Sequence, residues 1–169
     1  MSDSLPEHAK AKPIELWFQD EARVGQKGTL TRLWARKGTR PRAVRDTRYQ
    51  WAYLFGAVCP DRGAGAGIVM PYANTDGAHA ALILDGAGWH NSAGLVMPEN
   101  ITPIILPPYS PELNPAGNVW EYLRKNKLAN RLYQTYEDIV AACCDAWNSL
   151  MASPDRIASI AARTWAKVS

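Results

Sequence analysis

The chain has 169 residues, 47% of them hydrophobic with seven Trp, and a formal net charge of +3, a balance that fits one folded domain with a sizeable core and argues against disorder. It holds no apolar run of about eighteen residues, and the opening MSDSLPEHAKAKP has neither an apolar signal core nor an Arg-rich amphipathic pattern, so no membrane span is expected and the expected location is the cytoplasm. Cys59, Cys143 and Cys144 are odd in number and lack metal-ligand spacing, which points to buried thiols rather than a disulfide framework or a zinc site.

In chain order, residues 14–20 (IELWFQD) read as a first strand, short and apolar and ending in the acid Asp20. Alternation predicts a second strand over 29–35, with Gly25 and Gly28 marking the turn between them. Between positions 32 and 48 stand Arg32, Arg36, Lys37, Arg40, Arg42, Arg45 and Arg48 against one acid, Asp46. Such a run is either a solvated loop or a row of phosphate contacts that positions DNA without reading sequence. Residues 49–58 (YQWAYLFGAV) form a third strand, the Gly-rich tract 63–67 reads as flexible, and 68–70 as a short edge strand. An apolar run at 80–84 then ends in Asp85, followed by GAGWH, and the last strand covers 101–106.

The stretch 106–126, LPPYSPELNPAGNVWEYLRKN, ends that strand and starts a helix. Pro107, Pro108 and Pro111 fix φ and remove donors, so no ladder continues. Asn114 and Pro115 form a helix start, a capping side chain followed by a residue whose missing N–H is harmless at the first helical position. The helix is expected over 115–129, with Val119, Trp120, Leu123 and Leu128 as its apolar stripe and Arg124, Lys125 and Lys127 near its C-terminal end. A second helix over 136–152 buries Ile139, Val140, Cys143, Trp147 and Leu150, and a terminal helix covers 155–166.

Hairpin-linked strands followed by strands alternating with helices argue for a mixed α/β sheet, in which a site lies beyond the carboxyl ends of parallel strands. Asp20 and Asp85 both end apolar strands. If those strands are parallel neighbours, their carboxylates converge as oxygen ligands for hard divalent cations. Taken singly, an Asp after a strand is more often a turn former or helix cap than a metal ligand.

FQDEAR around Asp20, LILDGAGWH around Asp85 and PPYSPELNP before NVW resemble, in order, the signature blocks of the mariner-type DDE transposase superfamily, especially its bacterial insertion-sequence branch. GTLTRLWARKGTRPR, YQWAYLFGAV and EYLRKNKLANR extend the likeness over residues 16–165. The resemblance implies a ribonuclease-H-like domain over 14–169 after a tail at 1–13, with a mixed five-stranded sheet. It also implies two Mg²⁺ or Mn²⁺ ions, cleavage of DNA at transposon ends by water attack, and joining of the freed 3′-hydroxyl to target DNA. Asp20 and Asp85 would be the first and second metal-bridging carboxylates. Glu21, next along the strand, points to the opposite face. His90 is open between contact with a phosphate or the attacking water and a packing or capping role. Arg36, Lys37, Arg40, Arg42, Arg124 and Lys125 are candidate DNA contacts, and a homodimer or a mixed dimer with a full-length transposase is the expected assembly.

Three departures from the family pattern bear on activity. The third acidic position is Gly117, and Glu121, one turn further along the same helical face, is a substitute conceivable only through water. Only about nine residues separate Met70 from Ala80, so the family's crossover helix before the fourth strand is expected to be missing. The dozen residues before Pro13 cannot hold a helix-turn-helix, so sequence-specific DNA binding is expected to need another polypeptide. The expectation is a transposase catalytic domain with impaired strand cleavage and transfer; the alternative is a non-catalytic DNA-binding or dimerising remnant.

Overall fold

The structure, a computed structural model, describes residues 6–7, 13–28, 30–32, 34–39, 42, 46–68, 79–84, 99–107 and 110–166. Five strands, β1 (Ile14–Gly25), β2 (Trp51–Cys59), β3 (Ala64–Ile68), β4 (His79–Leu84) and β5 (Ile101–Ile105), form one sheet in the order β3-β2-β1-β4-β5. β1 pairs antiparallel with β2 and parallel with β4, and β4 pairs parallel with β5. Three helices follow: α1 (Ala116–Asn126), α2 (Tyr136–Met151) and α3 (Pro154–Ala161). The mixed α/β sheet expected of a ribonuclease-H-like nuclease is therefore present. The segment in which a crossover helix was expected to be missing lies outside the described residues.

Strand alternation explains which face the helices cover. Leu16, Phe18, Ala22 and Val24 of β1, with Ala52, Leu54 and Val58 of β2, are buried in one core with Val119, Trp120 and Leu123 of α1 and Ile139, Cys143 and Trp147 of α2. β4 reads as an unbroken apolar run because Ala80, Ala81, Ile83 and Leu84 are buried whichever face they occupy. α2 starts on a capping box, in which the Thr135 hydroxyl accepts from the Asp138 N–H while the Asp138 carboxylate accepts from the Thr135 N–H. Cys59 and Cys143 are buried free thiols, and burial pushes Cys143 up to about 11.

The tract read as flexible is a strand with a purpose for its glycines. Gly56 pairs with Gly67 across β2 and β3, and a Cβ on either would come within 2.5 Å of the Trp147 indole. The Gly56 Cβ would also meet Trp120 at 2.7 Å. The two indoles, 5.6 Å apart between ring centres, lie on the flat strip that these glycines leave. At Gly63 the backbone is left-handed (φ +58) and Pro154 leaves no room for a side chain.

Between β1 and β2 the described residues contain no second strand at 29–35. Leu30 and Trp34 are 48% and 104% exposed, so the alternation has no core to face, and the Thr31 N–H donates to the Asn130 side-chain oxygen rather than to a neighbouring strand. Asn130 can do so from a left-handed conformation (φ 58) that Asn tolerates. The root of this long arm is clipped to the chain after α1. Gln26, only 2% exposed, donates through Nε2 to the Tyr133 carbonyl (3.0 Å), and the Gln50 N–H donates to Gln26 Oε1 (3.2 Å). Arg48 donates to the Tyr133 and Gln134 carbonyls and holds Asp46 at 2.7 Å.

Two outcomes are expected. Gly56→Ala should overpack against the indoles and lower unfolding free energy by about 1–3 kcal/mol in a denaturant titration; an unchanged midpoint would mean that the indoles do not rest on the sheet there. Arg48 pulls the Asp46 carboxyl down to about 2, mainly by side-chain hydrogen bonding, below the unfolded value of about 3.9. Asp46 therefore contributes stability above about pH 4 that fades as pH falls through about 2. Thermal melts of the wild type should lie above those of Asp46→Asn near neutrality and converge with them across that window; parallel curves would deny the clip.

Candidate active site

Asp20 lies at the point where the parallel part of the sheet ends. The β1–β4 pairing runs from Ile14 opposite His79 to Phe18 opposite Ile83. β4 ends at Leu84, whose carbonyl accepts from the Leu106 N–H at 2.8 Å. β1 continues beyond that level, paired with β2 among the described residues, with Asp20 opposite Gly56. Asp85 lies outside the described residues.

Along β1, Asp20 follows the alternation of the helix-facing residues Phe18 and Ala22, and its carboxylate is half-buried. Its Oδ1 accepts the Glu21 N–H at 2.8 Å, while the Glu21 side chain belongs to the opposite set, as alternation requires. This central strand supplies a rigid oxygen donor of the kind that hard divalent cations take. Among the described residues, no group of three or more His, Cys, Asp or Glu side chains could hold a metal ion.

The Pro-rich turn brings the start of α1 to this strand. After a 3-10 turn at Pro111–Leu113, Asn114 is 8% exposed; its Nδ2 donates to the Gln19 carbonyl at 2.7 Å, and its Oδ1 accepts from the Ala116 N–H at 3.0 Å. One side chain thus caps the helix and ties it to β1, one residue before Asp20. The sequence motif Asn-Pro announced the cap; the tie to β1 needs the fold.

Gly117 lies in the first turn of α1, exposed and with ordinary backbone geometry, and an added Cβ would meet nothing within 4 Å. Glu121 is exposed and ion-paired to Lys125 of the same helix, whose hydrogen bond holds the Glu121 carboxyl below its usual range. The substitute acid is thereby committed to a cation one turn further on.

Of the predicted DNA contacts, Arg124 and Lys125 are exposed in the last turn of α1, and Arg36, Lys37 and Arg42 are exposed in the arm between β1 and β2. Arg40 and His90 lie outside the described residues. Sequence reading missed that β1 runs on to Gly25, which adds Arg23 to the strand's outer face. The continued alternation of buried Ala22 and Val24 with Glu21 and Arg23 was the available signal.

A family profile described as DDE superfamily endonuclease matches residues 68–140, which take in β4, β5, α1 and the start of α2. The chain is 53% identical over 131 residues to the uncharacterized protein y4pE/y4sA of Sinorhizobium fredii (strain NBRC 101917 / NGR234), an alignment covering 69% of this chain and 97% of the relative. The mixed sheet and the endonuclease profile together identify residues 68–140 of the chain as a DDE superfamily endonuclease domain.

Proposed function

We propose that residues 14–169 form a single catalytic domain of a mariner-superfamily DDE transposase from the bacterial insertion-sequence branch, a phosphoryl-transfer enzyme acting on DNA in which Gly117 replaces the third acidic ligand. The observation that supports this reading is the β1–β4 register, whose last pair, Phe18 with Ile83, lies two residues before Asp20 along β1 and two residues before Asp85 in the sequence. Asp20 and Asp85 are the donors that would hold Mg²⁺ or Mn²⁺. Such ions, when bound, activate water and stabilise the attacking and leaving oxygens.

The chain's own residues act by positioning. The strand backbone fixes Asp20, and the Glu21 N–H orients its Oδ1. Asn114 holds the first turn of α1 to the Gln19 carbonyl, so a side chain at position 117 starts from an anchored turn. With Gly there, one of three acidic donors is missing, and displacement by about 1 Å of what it would fix costs about a hundredfold in rate. Arg36, Lys37, Arg40, Arg42, Arg124, Lys125 and His90 are proposed contacts to transposon-end or target DNA, and the proposed assembly is a homodimer or a mixed dimer with a full-length transposase. No helix among the described residues is long and apolar enough to cross a membrane. Gly117 also favours a second reading, a DNA-binding or dimerising remnant without catalysis.

Mn²⁺-dependent nicking of supercoiled DNA separates the two. The wild type should nick weakly or not at all, Gly117→Glu should gain about a hundredfold, and adding Asp20→Ala or Asp85→Ala should abolish the gain. Wild-type nicking as fast as that of Gly117→Glu, and lost with Asp20→Ala, would show that Gly117 does not impair the site. DNA binding without nicking by any folded version would leave the remnant. In the Gly117→Glu background, Asn114→Ala should lower stability by about 0.5–2 kcal/mol as a lost cap and reduce nicking beyond its effect on the folded fraction; undiminished activity would remove Asn114 from a positioning role.

A further inference from the structure

Beyond the end of β4, β1 and β2 continue as a two-stranded ribbon whose inner side is buried and whose outer side is not. Trp51, Tyr53 and Tyr49 are 46%, 55% and 68% exposed, whereas Trp120 and Trp147 are 3% and 6% exposed. Cations accompany these rings. The Arg23 guanidinium lies 5.4 Å from the centre of the Trp51 ring, and the Lys27 ammonium lies 3.9 Å from that of Tyr49. Tyr53 stacks on Phe55 with centres 6.4 Å apart.

A groove of ≈ 380 Å³ opens here, lined by Arg23, Lys27, Arg48, Tyr49, Gln50 and Trp51, with no acidic side chain in its wall among the described residues. Arg48 is matched by Asp46. Arg23 and Lys27 make no ion pair among the described residues. The groove therefore offers two positive charges and flat aromatic faces in a volume within the roughly 300–1,000 Å³ of small-ligand sites. An anion with an aromatic face is complementary to this wall. A base within a duplex has both faces stacked and could not use the rings, whereas an unpaired nucleotide offers both a phosphate and a free face.

We propose that this groove holds an unpaired nucleotide of a DNA strand, with Trp51 or Tyr49 against the base and Arg23 and Lys27 on the phosphates. Gly25 is five residues after Asp20, so the groove lies about 17 Å along β1 from that carboxylate, close to the rise of about five stacked nucleotides. The assignment rests on the DNA-cutting reading only in making that strand part of the same substrate.

Fluorescence anisotropy of a labelled oligothymidylate of about a dozen nucleotides, titrated in EDTA with the full chain, tests it. Trp51→Ala should weaken binding about five- to hundredfold, and Trp51→Phe should restore most of the loss. Arg23→Ala with Lys27→Ala should lower the slope of log affinity against log salt by about 1.4. Arg62→Ala, which removes a surface partner of Glu15, should change nothing, and circular dichroism melts would confirm that every variant is folded. Wild-type affinity in both the Trp51→Ala and the paired charge variants overturns the proposal. So does a Trp51→Ala effect confined to self-association in sedimentation, which would give the groove to a second copy of the chain. Because EDTA excludes cleavage, the two readings fail separately. Nicking by Gly117→Glu with binding indifferent to Trp51 overturns the groove alone, and Trp51-dependent binding with no nicking by any folded version overturns the DNA-cutting reading alone.

Discussion

The register of β1 is the constraint on which the other features depend. Leu16, Phe18, Ala22 and Val24 line the helix-facing side of this strand and are almost fully buried, and Asp20 interrupts them in the middle. Slipping the strand by one residue would turn all four apolar side chains outward and carry Asp20 to the other face. The burial that stabilises the sheet therefore also fixes where the carboxylate stands, and β4 on one side and β2 on the other hold it there. A polar residue is placed securely because its neighbours in the alternation are not polar.

The helical layer is fixed by a complementary device. Two large indoles need a flat surface, and Gly56 and Gly67 provide it beside Asp20. With Trp120 and Trp147 seated there, α1 and α2 have little freedom to slide over the sheet, and Asn114 sets the remaining variable, the approach of α1's first turn to β1. Packing thus settles the coarse position of the helix, and one buried amide settles the fine one. The Gln26 and Arg48 clips do the same for the arm between β1 and β2, since both donate to the Tyr133 carbonyl.

Much of this was legible in the sequence because it depends on local period. Apolar runs ending in an acid located β1 and β4, and the 3.6-residue stripe located α1 and α2 to within a few residues at each end. Errors arose where a pattern lacked its tertiary partner or gained an unexpected one. Alternation at 29–35 has no sheet to join, so Asn130 takes the Thr31 amide instead. The Gly-rich tract looked like a flexible linker because nothing local reveals that Trp147 and Met151 rest on it. The aromatic run at 49–58 was read correctly as a strand, but period alone could not say that the Trp51, Tyr53 and Phe55 side would lack a covering helix among the described residues. Placing Asp20 on an apolar strand was possible from the sequence. Its distance from any partner was not, since that depends on register between segments more than sixty residues apart.

The open space at Gly117 has an implication for how such a domain changes over generations. Catalytic groups commonly burden a fold, so that their loss stabilises it. Here the helix terms have the opposite sign. Gly is the weakest helix former after Pro, by about 1 kcal/mol relative to Ala, and an acid in the first turn interacts favourably with the helix dipole. An added Cβ at 117 would meet nothing within 4 Å. In helix terms an acid there would add to stability, so retention of Gly does not follow from any demand of the scaffold. In these terms the helix start tolerates either Gly or an acid at this position, and exchanging one for the other takes a single substitution.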